Sequence, residues 1–214
     1  MLISTPIDHK NIGLAKLLYG LRQDLDIYCL ISVNAGSINQ RIGKSFWGHL
    51  QQLTIGSITL SICKIYEEEK GYELNSIGGV FRYLCIGTPT VLNESKLKGF
   101  IQKYCGPSEV ESPISALQLA IDGFRDRYRV ELDRFKTTRD KKTAHSEYGI
   151  DIDSLPSYDV MEKLFFFGAD FYDLVSAAFV GVGPCDLRAE RPVKIGLTKI
   201  FRDLGFEDIK SDMQ

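Results

Sequence analysis

The chain has 214 residues, of which 44% are hydrophobic and 25% charged, with a formal net charge of −2 and a pI near 6.0. Those proportions are ordinary for a soluble globular protein of one domain, or of one domain with a short appendage. The near-neutral balance excludes a global field for nucleic acid, so contact with RNA has to come from a local basic patch. Cys29, Cys63, Cys85, Cys105 and Cys185 stand far apart with no Cys-x-x-Cys pair, and His9, His49 and His145 complete no zinc ligand set. No metal or other cofactor is therefore expected. Without an apolar leader or a run of membrane-spanning length, the expectation is a reduced, cytoplasmic protein whose thiols serve as small core residues.

The sequence Thr5-Pro6-Ile7-Asp8 has the form of a helix start, with a Thr cap, Pro in the first helical position and an acid three residues after the cap. Ile12, Leu17, Leu21, Leu25 and Tyr28 fall on or near one side and predict a helix to about Val33. Asn34-Ala35-Gly36-Ser37 is a breaker cluster, and His9 is expected on the surface.

Residues 44–68 form a second long segment, where Phe46, Leu50, Leu53, Ile58, Ile62 and Ile65 approximate a helical stripe. A rival pattern runs through it: Ile58, Leu60 and Ile62 alternate with Thr59, Ser61 and Cys63, the period of a half-buried strand. Helical flanks on both sides, and the lack of any evident strand to pair with, favour helix. Gly56, Ser57, Thr59 and Ser61 permit close approach of another helix, inside one subunit or across a dimer axis. His49 is expected to be partly buried or to act as a cap. Glu67-Glu68-Glu69 reads as a solvated helix end, since nothing apolar surrounds the acids to separate their pKa values.

A short helix is predicted over 76–85 and stopped by Gly87-Thr88-Pro89. Another covers 93–104, capped by Asn93 and stopped by Gly106-Pro107. Ser112-Pro113 then opens a long helix. Leu117, Ile121, Phe124, Tyr128, Leu132 and Phe135 keep one face for about six turns, and Arg139 falls where the next core residue would sit. Arg125, Arg127, Arg129 and Arg134 lie elsewhere around it, with Asp122, Asp126, Glu131 and Asp133 at hand to neutralise them as surface ion pairs. After a loop over 149–156, the last long helix is expected over 158–180, apolar at Met161, Leu164, Phe165, Gly168, Phe171, Tyr172, Val175 and Phe179. Gly181-Val182-Gly183-Pro184 ends it. That glycine pair follows a helix and not a strand, which excludes a dinucleotide fingerprint. The division is a helical domain over 1–182 and a C-terminal extension over 183–214, with an amphipathic helix near 195–204 that docks on the bundle or on a partner.

The chemistry concentrates in residues 132–148, LDRFKTTRDKKTAHSEY. Arg139 and His145 stand with five residues between them, beside Asp140, Lys141 and Lys142. Arginine is a permanent cation whose planar fork grips phosphate oxygens, and histidine moves protons near neutral pH. Together they could bind a phosphodiester and act on it. The plainer alternative is a basic, solvated helix end, where cations offset the helix dipole.

The run Arg139-Asp140-Lys141-Lys142-Thr143-Ala144-His145 at the end of a long helix resembles the ribonuclease motif of the HEPN superfamily, and its Ala-His ending is similar to the abortive-infection branch. The stretch from Phe46-Trp47 to Ile65-Tyr66-Glu67, and the segment from Ser76 to Leu84, agree with that resemblance. The resemblance implies an all-α, HEPN-like helical bundle that forms a homodimer with a composite, metal-independent endoribonuclease site. Arg139 and His145 would be catalytic, Asp140 would orient Arg139, and Lys141 and Lys142 would contact RNA. It further implies defence against phage or a toxin–antitoxin role, with an antitoxin as a possible partner and no membrane. The alternative is a non-catalytic helical module that binds RNA or protein. Six steps along a regular helix turn position 145 about 120° away from position 139. Either the helix unwinds near Thr143 or the two residues face different sides of a dimer cleft. A Tyr two residues after the His is a regulatory site in some family members. Tyr148 lies three residues on, so that regulation is not implied.

Overall fold

Leu14, Leu18, Leu21 and Leu25 recur at helical spacing, and in the computed structural model all four are fully buried on helix α1 (Leu14–Val33). The structure describes residues 8–9, 12–40, 43–67, 74–86, 92–106, 112–145, 155–179, 187–188, 192–206 and 209–210; for residues 8, 9, 12 and 142–145 it describes the backbone alone. The fold is all-α. It also contains a pair of two-residue strands, β1 (Asp8–His9) and β2 (Ile12–Gly13), antiparallel with Asp8 opposite Gly13.

That hairpin replaces the expected beginning of the first helix. Gly13 adopts φ 129°, a conformation open to glycine that an α-helix cannot continue back through. Its N–H, an orphan of the first helical turn, is taken by Asn75 Oδ1 at 2.7 Å. The proposed cap at Thr5 and Pro6 lies outside the described residues. At the other end Asn34 breaks the helix as expected, but the breaker cluster coils into a short helix, α2 (Ala35–Asn39).

Helix α3 (Lys44–Tyr66) runs unbroken through 53–63, which removes the strand alternative. Burial there follows a helical period: Ile55, Ile58, Ile62 and Ile65 face the core while Leu53 and Leu60 face out. His49, expected to be partly buried, is exposed. Helices α4 (Ile77–Ile86) and α5 (Glu94–Tyr104) follow. Asn93 caps α5 by accepting from the Lys96 N–H at 3.0 Å.

The long helix predicted from Ser112 is divided. Helix α6 (Pro113–Arg127) starts at the Ser112 cap, whose Oγ accepts from Ser115 N at 3.2 Å. At Tyr128 the backbone leaves the helical region (φ −109°, ψ 20°) before α7 (Arg129–His145) resumes. The Tyr128 ring stays 4.7 Å from Phe124 and its carbonyl still accepts from Leu132 N, so the apolar stripe continues across the break. Helix α8 (Tyr158–Ser176) ends in a turn that still buries Phe179, and α9 (Pro192–Asp203) closes the described chain.

The main core gathers α1, α3, α4, α5, α6, α7 and α8, and within it Phe167 stacks on Phe124 at 3.8 Å and meets Tyr104 edge-on at 4.7 Å. Tyr66 donates its hydroxyl to the Leu164 carbonyl at 2.6 Å, tying the end of α3 to α8. A second, separate cluster joins Leu30, Ile31, Ile38 and Trp47 to Leu197, Phe201 and Phe206, so the C-terminal extension docks on the bundle. Cys29 and Cys63 are buried as expected of core thiols. Cys85 and Cys105 are exposed, near the ends of α4 and α5 where the apolar stripe has run out. Cys185 lies outside the described residues. No helix among the described residues is long and apolar enough to cross a membrane.

Charge also enters the interior. Arg22 and Asp26, on α1, are almost fully buried and lie 3.3 Å apart, and Arg22 reaches Glu162 of α8 at 3.5 Å. The Arg22 guanidinium lies 5.4 Å from the centre of the Phe165 ring, so packing and a cation–π contact add to the ion pairs that desolvation weakens.

Helix α8 lies close against α1 at Gly168, where an added Cβ would come within 2.8 Å of Leu18 Cδ2. Leu18 is fully buried and has little room to yield. Gly168→Val should therefore lower stability by about 1–3 kcal/mol, read as a fall in the denaturation midpoint at unchanged slope.

Candidate functional site

Helices α3 and α7 pack against each other, with α6 alongside, and leave a groove of about 610 Å³ where α3 ends. That volume suits a small organic molecule or a few atoms of a polymer backbone. Ile62, Cys63 and Phe135 make the floor. Glu67, Asp122, Asp126 and Asp133 line the walls with Arg125, Arg129, Lys136 and Arg139, four acids against four bases. The groove is therefore lined with charge but close to neutral in sum.

Arg139 sits at the rim with its side chain 21% exposed. Its Nη1 donates to Glu67 Oε1 at 2.7 Å and its Nε to Asp140 Oδ1 at 2.9 Å. Hydrogen bonding to Glu67, and then to Asp140, holds the guanidinium still more firmly in its charged form than usual. Glu67 is 16% exposed and spans 72 residues of sequence to reach Arg139. It is thus not the solvated helix end expected of Glu67-Glu68-Glu69; Glu68 and Glu69 lie outside the described residues. No local signal marked it: Lys64 adjoins the buried Cys63 and Ile65 in the same way and is exposed, whereas Glu67 is shielded where it meets Arg139 of α7.

Two of the arginines expected as surface ion pairs also reach the ends of neighbouring helices. Arg125 Nη2 donates to the Tyr66 carbonyl at 3.2 Å and Arg127 Nη2 to the Tyr104 carbonyl at 3.5 Å. Each places a cation on the last residue of a neighbouring helix, α3 or α5, where carbonyls lack intrahelical partners and the dipole is negative. Arg129 does form an exposed ion pair, with Asp126 at 3.5 Å. Cys63 lies behind Arg139, and burial pushes its thiol up to about 11 despite the nearby guanidinium. The groove therefore holds a protonated thiol, not a nucleophilic thiolate.

Helix α7 stays helical through residue 145, so the backbone does not unwind near Thr143. On a regular helix position 145 then lies about 120° around the axis and about 9 Å along it from position 139. Within one chain positions 139 and 145 of the helix backbone do not share a face. Asp140 and Lys141 are exposed, while the side chains of Lys142 and His145 lie outside the described residues. Among the described residues no group of three or more His, Cys, Asp or Glu is arranged to hold a metal ion. No family model, curated protein or solved structure matches the chain.

Two measurements check this geometry. A double-mutant cycle on Arg139→Ala and Glu67→Ala should give a coupling of about 1 kcal/mol, above the few tenths typical of exposed pairs. Iodoacetamide at pH 8 should modify the exposed Cys85 and Cys105 at least about tenfold faster than Cys63. At that pH about one Cys63 thiol in a thousand is ionised, given a pKa near 11.

Proposed function

We propose that the chain is a HEPN-like helical protein that dimerises and cuts RNA without metal, with Arg139 and His145 of each copy forming one composite site. The observation that carries this reading is the anchored guanidinium. Arg139 is held at the mouth of a groove by Glu67 and Asp140, on the same helix as His145 and beside Lys141. A cation fixed in this way can meet charge that develops on phosphoryl oxygens without first reorganising.

The chemistry follows from the needs of the substrate. The ribose 2′-oxygen attacks phosphorus as a base removes its proton; the P–O5′ bond breaks and an acid protonates the departing oxygen. The products are a 2′,3′-cyclic phosphate and a 5′-hydroxyl. One imidazole cannot fill both proton roles in the same step, so two copies of His145 are required. A two-fold dimer supplies them, and relieves the 120° separation along a single α7 by letting one subunit's arginine meet the other's histidine. Lys141 and Lys142 make sequence-independent phosphate contacts. A defence or toxin–antitoxin setting, a cytoplasmic location and an antitoxin partner belong to the same proposal.

A specific observation favours a second reading, a non-catalytic module that binds RNA or protein. Arg139 already carries two carboxylates, and the four bases that line the groove are equalled in number by four acids. In that reading Arg139 fastens α7 to α3 and a phosphate has to displace Glu67 to bind.

Incubation of the purified protein with RNA in EDTA separates the two. Enzyme action gives new 2′,3′-cyclic phosphate ends. His145→Ala should abolish them at unchanged helix content, and Arg139→Ala should reduce the rate by about 10²-fold or more. An intact RNA pool alongside a measurable complex would establish the binding module instead.

A further inference from the structure

The C-terminal segment is seated in a groove of its own, remote in sequence from the Arg139 site. Leu197 and Phe201, one turn apart on α9, pack with Leu30, Ile31, Ile38 and Trp47. Phe201 meets Trp47 edge-on at 5.1 Å. Gly205, at φ 79°, then ends the helix in a Schellman motif, with Gly205 N–H donating to Arg202 O and Phe206 N–H to Phe201 O. The turn folds Phe206 back onto Phe201 with ring centres 4.9 Å apart, inside the same cluster.

Beyond the helix the bundle holds main chain. The buried Asn34 side chain donates from Nδ2 to the Lys210 carbonyl at 3.0 Å and accepts at Oδ1 from the Lys210 N–H at 3.0 Å. A third bond, Nδ2 to the Leu30 carbonyl at 2.8 Å, fixes the amide in this orientation. The two bonds to Lys210 are those a strand residue exchanges with its neighbour, so they recognise main chain and not a particular side chain.

We propose that this groove on α1, α2 and α3 is a helix-binding site, which the chain fills with its own residues 192–210 and which accepts the same segment from a second copy. The seated segment defines what fits: an amphipathic helix with apolar residues one turn apart, a glycine stop, a second aromatic and, at Lys210, main chain that pairs with Asn34. Helix-in-groove packing and main-chain pairing are two of the recurring ways in which separate peptides are held. The segment's cluster is distinct from the main core, which is assembled without it. A second copy of the chain carries the identical segment, so it is the occupant whose fit the seated helix already displays, while the exposed Lys199, Arg202 and Asp203 keep the outer face of α9 polar. The inference does not depend on the RNA reading.

A tethered segment competes at an effective concentration on the order of millimolar, so the site becomes open to outside occupants when the internal contact is weakened. Trp47 is the sole tryptophan of the chain, and its emission reports whether the groove is filled. The test uses the full chain carrying Phe201→Ala, or the milder Phe206→Leu, titrated with a synthetic peptide of residues 192–210 that has no tryptophan of its own. In whichever variant keeps its far-UV helix signal, Trp47 emission should start red-shifted and return saturably as peptide is added. The half-saturating concentration should be at least about tenfold below that of the unmodified chain. Adding Asn34→Ala should weaken peptide binding about fivefold. Loss of the whole helix signal in both variants would make the segment part of one cooperative core and overturn the proposal. So would a folded variant whose emission ignores the peptide.

Discussion

Helix α1 has to bury apolar side chains in two directions, and the other long helices take their places from that requirement. Leu14, Leu18, Leu21 and Leu25 belong to the main core, while Leu30 and Ile31 belong to the smaller cluster near the helix's end. The first set calls for α3 and α8 along its flank; the second calls for Trp47 and α9. Gly168 lets α8 come close enough to seal Leu18, and the shielded Arg22–Asp26–Glu162 group fixes the same pair of helices in register. The ions gain little net energy once desolvation is counted. Their value lies in penalising any slip of α8 along α1 that would leave a buried guanidinium without its carboxylates.

The placement of α3 against α1 in turn decides where Glu67 lies, and so what Arg139 meets. Two effects then oppose each other at the groove. Glu67 and Asp140 fix the guanidinium and keep it charged, which a site for developing negative charge needs. The same two carboxylates offset the attraction for an incoming phosphate, and the other acids along the walls leave no net positive field to gather RNA. Affinity for RNA would therefore have to come from outside the groove, from the exposed Lys141 and from a second subunit. Arg139 alone supplies geometry and little affinity.

Features governed by local chemistry were legible in the sequence. Asn93 and Ser112 cap the helices they precede, and α3 and α9 appear where apolar spacing places them, because caps and period depend on a few adjacent residues. Features set by distant partners were not. The hairpin before α1 depends on Gly13 and on Asn75, 62 residues away. The break at Tyr128 was hidden because Phe124, Tyr128 and Leu132 keep helical spacing across it. Arg22 and Asp26 have the i,i+4 spacing of a surface pair, and only α8 makes them interior. At the site, Arg139 could be placed at the rim of the core from the stripe ending in Phe135, whereas its partner Glu67, on another helix, carried no local mark.

The proposal comes down to whether the arginine of one copy works with the histidine of the other. Position 145 stands about 120° around α7 from position 139, so one chain by itself does not bring the two together. The most direct measurement mixes two inactive forms, Arg139→Ala and His145→Ala, under conditions where subunits exchange, and follows 2′,3′-cyclic phosphate ends on RNA. Pooling across subunits predicts that the mixture regains cleavage that neither form has alone. A mixture that stays silent while mixed dimers are demonstrably present, or a chain that remains monomeric at every concentration, would contradict it.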